Sequence, residues 1–95
     1  MKKSTKELVE SIMAKNEDKI IEAVKKNDLV VGINTRLYSY DTVISLPMPG
    51  SRHNSYRYVM TIESFKTDRS ARNLAKEVKA MIMEQFGQLI VGQKN

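Results

Sequence analysis

The 95-residue sequence predicts a small α+β domain of order α-β-β-β-α, a three-stranded antiparallel meander with N- and C-terminal helices packed on the sheet. Three observations lead there. Apolar residues recur at helical period at both ends of the chain and at period two between them. The links between the period-two stretches are short, which suits antiparallel neighbours. Apolar residues are 41% and charged residues 28% of the chain, a balance that suits one globular unit over residues 1–95.

The first element opens at Ser4, which with Glu7 has the spacing of a capping box. Leu8, Val9, Ile12, Met13, Ile20, Ala23 and Val24 then share one side at helical period, predicting a helix from about Thr5 to Lys26. Asn16 interrupts the apolar arc and marks a point where the helix kinks or splits. Lys25-Lys26-Asn27-Asp28 is a stop signal, with cations in the last turn and Asn where a left-handed residue is needed.

From Leu29 the period changes to two. Leu29, Val31, Ile33, Thr35 and Leu37 face one way, with Val30, Gly32, Asn34, Arg36 and Tyr38 opposite, and Ser39-Tyr40-Asp41 turns the chain. A second strand places Thr42, Ile44, Leu46 and Met48 on the core face, and Pro47, Pro49 and Gly50 end it. After the loop through Arg52 and His53, a third strand from Ser55 to Phe65 puts Tyr56, Tyr58, Met60 and Ile62 inward and Arg57, Val59, Thr61 and Glu63 outward. Thr67 or Asp68 caps a last helix in which Ala71, Leu74, Ala75, Val78, Met81, Ile82 and Phe86 keep helical period until Gly87. Residues 88–91 suit either a continued helix or a short strand.

Several functions find no support in the residues. There is no cysteine, so disulfides, thiolate nucleophiles and sulfur-ligated zinc are excluded. The longest apolar run is Leu89-Ile90-Val91, far below the roughly 20 residues that cross a bilayer, and no membrane partner is expected. The charged stretch after Met1 is unlike a secretory signal, which points to a cytoplasmic setting. His53 is the one histidine and has no carboxylate at ligand spacing; with Ser51 it reads as a solvated loop residue rather than a catalytic base. Neither phosphate-binding glycine motif occurs. No catalytic residue, metal or cofactor is expected.

Charge is the informative feature. The net +5 is uneven, because residues 1–28 hold seven positive and six negative charges while residues 29–95 hold nine and five. Seven of those nine lie between Arg52 and Lys79. On the last helix Arg69, Arg72, Lys76 and Lys79 fall in a stripe roughly 80° wide on one flank of the apolar face, with Glu77 and Glu84 on the other. Like charges at i,i+4 and cations near the positive end of the helix dipole destabilise the helix by about 1 kcal/mol in total. An anion at that end would relieve this, and Lys66, Thr67, Arg69 and Ser70 with the first-turn amides resemble a phosphate site in which Asp68 competes.

Tyr56-Arg57-Tyr58 and Arg36-Leu37-Tyr38-Ser39-Tyr40 interleave rings and guanidinium groups, as single-stranded nucleic-acid binders do. Period two sends Tyr56 and Tyr58 toward the core, while Tyr38 and Tyr40 near the turn are freer. The expected interface is therefore Arg69, Arg72, Lys76 and Lys79 with Lys66, Arg57 and Arg52, touching nucleic-acid phosphates. The alternative is a protein-interaction module, an inhibitor or adaptor, that pairs with a second copy or a partner protein through Val30, Val43 and Val59 on the outer sheet face.

The α-β-β-β-α order is similar to that of double-stranded RNA-binding domains, and Gly50-Ser51-Arg52-His53 looks like a glycine- and histidine-bearing loop of that family. In the family that loop joins the first and second strands, whereas here it joins the second and third. The resemblance is one of element order, and no residue role is carried across.

Overall fold

The computed structural model describes residues 1–48 and 57–88. Arg52, His53 and Tyr56, and the segment from residue 89 onward, lie outside the described residues. The element order is α1 (Lys3–Lys15), α2 (Glu17–Lys25), β1 (Val30–Thr35), β2 (Tyr40–Pro47), β3 (Arg57–Phe65) and α3 (Asp68–Phe86). The strands form one antiparallel sheet of order β1-β2-β3, as the α+β reading requires.

The N-terminal helix divides at Asn16. Its side-chain Nδ2 donates to the carbonyl of Ile12 at 2.9 Å and its backbone leaves helical geometry at ψ 24°. The amide competes with the helix ladder at the Ile12 carbonyl, and α2 starts at Glu17. Ser4 does not cap α1, which starts one residue earlier with no side-chain cap. The entry is instead tied by Thr5, whose Oγ1 donates to Glu63 Oε1 at 2.7 Å. At the far end Asn27 takes φ 54°, the left-handed residue that ends α2.

The β1–β2 hairpin is tighter than its period-two pattern implies. β1 stops at Thr35, and the N–H of Arg36 donates to the carbonyl of Ser39 at 2.8 Å. Buried Asp41 accepts from Ser39 Oγ and Arg36 Nη1 and so pulls the turn forward. Leu37, expected on the same side as Val31 and Ile33, is consequently 85% exposed, beside Tyr38 at 89%.

Central strand β2 is buried on both faces, and Thr42, Ile44 and Leu46 face the helices. Thr42 Oγ1 donates to the carbonyl of Ala71 at 2.8 Å and pins the first turn of α3 over this strand. The pairing of β2 with β3 shifts between Thr42 and Val43, where Thr42 pairs with Glu63 and Val43 with Thr61. The resulting bulge at Ile62 reverses the phase of β3, turning Glu63, expected outward, into the helix layer to meet Thr5. Tyr58 lies on the helix side as expected but remains half-exposed, with Lys19 Nζ 4.8 Å above its ring. Met48, expected in the core, is exposed.

One apolar cluster joins five of the six elements, with Val9 and Met13 from α1, Ile20 and Val24 from α2, and Leu74, Val78, Ile82 and Phe86 from α3 meeting Ile44 and Leu46 of β2 and Ile62 of β3. Val31 of β1 packs against its margin. The helices thus cover one sheet face.

Candidate nucleic-acid interface

The basic helix is built locally before it is packed. Thr67 Oγ1 accepts the N–H of Ser70 at 3.2 Å, a side-chain N-cap for α3. That bond takes an amide which an anion at the helix start would need, so the expected phosphate site at Lys66, Thr67, Arg69 and Ser70 is partly filled by the chain itself. Asp68 plays a different part from the one expected. Its Oδ1 accepts a hydrogen bond from Arg72 Nε one turn later, which offsets the like-charge repulsion within the stripe.

The rest of the strip keeps its charge toward water. Lys66, Arg69, Arg72, Lys76 and Lys79 are all exposed. Among the described residues, no carboxylate makes an ion pair with Lys66, Arg69, Lys76 or Lys79. Arg72, Lys76 and Lys79 line a groove of about 180 Å³ whose other wall is Val31, Gly32 and Ile33 of β1. The cationic shoulder of α3 therefore faces the β1 side. Glu77 lines a separate recess with Thr5, Glu63 and Phe65, and Glu84 lies beside Lys6 and Glu10 of α1. The acidic shoulder of the same helix faces α1.

Sequence periodicity alone does not supply the β1 wall. The signal for it lay in the topology: the first strand of a three-stranded meander is an edge strand. Among the described residues, the outer edge of β1 has no backbone partner. Gly32 sits in the middle of that edge, and a Cβ placed there would meet nothing nearer than Val30 Cγ1 at 3.9 Å. The fold itself does not demand glycine at this position, where it weakens the strand by roughly 0.5–1 kcal/mol relative to alanine.

Arg57 and the valines are placed differently. Arg57 lies across the outer sheet face, its Nε donating to Ser45 Oγ at 2.7 Å and its Nη1 to Asp28 Oδ1 at 2.9 Å. Its Nη2 donates to the backbone carbonyls of Asp28 and Ser45. With its side chain 22% exposed, Arg57 is a clasp between β3, β2 and the start of β1, and it stands apart from the α3 strip. Val30 and Val59 are half-exposed on that outer face, on either side of Ser45, whereas Val43, which lies two residues away from Ser45 on β2, is only 6% exposed. The expected three-valine patch is thus two separated side chains. Arg52 lies outside the described residues.

Among the described residues, no three His, Cys, Asp or Glu side chains are grouped to hold a metal ion, and no helix is long and apolar enough to cross a membrane. No family model, curated protein or solved structure matches the chain.

Proposed function

We propose that this protein is a non-enzymatic binding module that contacts nucleic-acid phosphates through the β1-side shoulder of α3, acting in the cytoplasm. One observation carries the reading: Arg69, Lys76 and Lys79 are exposed without ion-pair partners among the described residues, and Lys76 and Lys79 share a groove with Arg72. The acids of the same helix sit on the other shoulder. Phosphates need charge at intervals along a line and no particular base, so the arrangement suits binding without strong sequence preference. Lys66 extends the same field beyond the helix start.

The test is fluorescence anisotropy with labelled single-stranded DNA, RNA and duplex. With three to four phosphates neutralised, log affinity is expected to fall against log salt with a slope of roughly −2 to −3.5. The double reversal Lys76→Glu with Lys79→Glu is expected to abolish binding while circular dichroism is unchanged. Absence of binding at about 50 mM salt, or binding indifferent to the reversal, would contradict the reading.

A second reading keeps one observation in its favour. All three helices pack on one face, and on the other Arg57 is paired with Asp28 and Arg36 with Asp41. That face, with Val30 and Val59, suits a second copy or a partner protein better than a polyanion. Light scattering decides it: a dimer lost on Val59→Lys supports this reading, and a monomer at all concentrations removes the homodimer.

A further inference from the structure

We infer that the occupant of the α3–β1 groove is a single strand of nucleic acid rather than a duplex, with Tyr38 at the hairpin tip as its stacking platform. The inference rests on the phosphate-binding reading and names the class of ligand.

Three features converge. The first is the file of cations. From Arg69 to Lys79 the helix advances about 15 Å, and Arg72, Lys76 and Lys79 line the groove against Val31, Gly32 and Ile33. One backbone can follow this file. A duplex carries a second backbone, and laid across the crest of α3 it would bring that strand to the other shoulder, where Glu77, paired with the Met1 amino group, and Glu84 stand in place of a second row of cations.

The second feature is what α3 lacks as a duplex reader. A helix that reads the major groove must protrude into a channel about 12 Å wide. Here α3 lies flat over the sheet, held by Ala71, Leu74, Ala75, Val78, Ile82 and Phe86, and its cations flank a recess instead of crowning a ridge.

The third feature is the ring at the end of the file. Thr42 bonds Ala71 of α3 and pairs with Ile33 of β1, so the start of α3 stands over the half of β1 that leads into the hairpin. A strand running from Lys79 toward Arg69 is thereby aimed at the tip formed by Leu37 and Tyr38. Tyr38 is 89% exposed and contributes nothing to the core. An exposed aromatic ring at the end of a row of cations gives unpaired bases a stacking surface, and a duplex has no unstacked base to offer it.

The experiment uses the full chain and labelled DNA and RNA of about 16 nucleotides, single-stranded and duplex, at low salt. Single strands are expected to bind at least about tenfold more tightly than duplex; Tyr38→Ala is expected to weaken single-strand binding roughly fivefold or more, and Tyr38→Phe to preserve it. Thermal melting of both variants should match the parent, since the side chain packs on nothing. Equal or tighter duplex binding, or an unchanged Tyr38→Ala affinity, overturns this inference and leaves the phosphate reading standing. Failure of every nucleic acid to bind, or equal binding of polyglutamate, overturns the phosphate reading as well.

Discussion

Arg57 and Arg69 have the same side chain and opposite situations. Arg57 spends its donors on Asp28 and Ser45 and closes the outer sheet face, whereas Arg69 stands in water without an ion-pair partner among the described residues. Hydrogen bonds to charged groups contribute about 1.5–3 kcal/mol when sheltered, and the partial exposure of Asp28 discounts that. Arg57→Ala is therefore expected to destabilise the fold by about 1–3 kcal/mol in urea unfolding with little change in nucleic-acid affinity beyond the lost folded fraction. Arg69→Ala is expected to do the reverse, with stability within about 0.5 kcal/mol of the parent and weaker binding. Periodicity could not separate the two, because it reports which face a side chain takes and not which acid it finds there.

The elements were legible where period and capping agreed. The apolar positions of α3, the Thr67 cap and the left-handed Asn27 all follow from local chemistry that needs no distant partner. The departures come from long-range partners. Thr5 is drawn to Glu63 in place of a Ser4 cap, and Asp41 shortens β1 by gathering the turn. The β3 bulge left a trace that strict alternation overlooks: Met60, Ile62 and Phe65 all pack on the core, and the odd step from 62 to 65 breaks period two. On α3, Asp68 favours the helix start through the dipole and pairs with Arg72. Asp68→Asn should accordingly lower stability by about 0.5–1.5 kcal/mol. The same change releases Arg72 and is expected to tighten polyanion binding, steepening the salt slope by roughly 0.7 for a single strand. Opposite signs for stability and affinity in one variant distinguish a binding strip from solubilising charge.

At the scale of the whole molecule the placement of α3 matters most. It packs over β1 and β2 beside an open sheet edge, while α1 takes the β3 side. This layout leaves one shoulder of the basic helix facing outward next to a bare strand and sets the acidic shoulder on the α1 side. The cationic stripe itself was legible in the sequence. The groove that gives it a second wall was not, because it exists only once α3 has settled over the first strand. The most direct measurement is a titration of isotope-labelled protein with a single-stranded oligonucleotide, followed by amide chemical shifts. The expected perturbations run along residues 69–79, continue through Val31, Gly32 and Ile33 and reach the hairpin tip at Tyr38. Shifts centred on Val30, Ser45 and Val59 across the outer sheet face, with the α3 amides unmoved, would contradict the account.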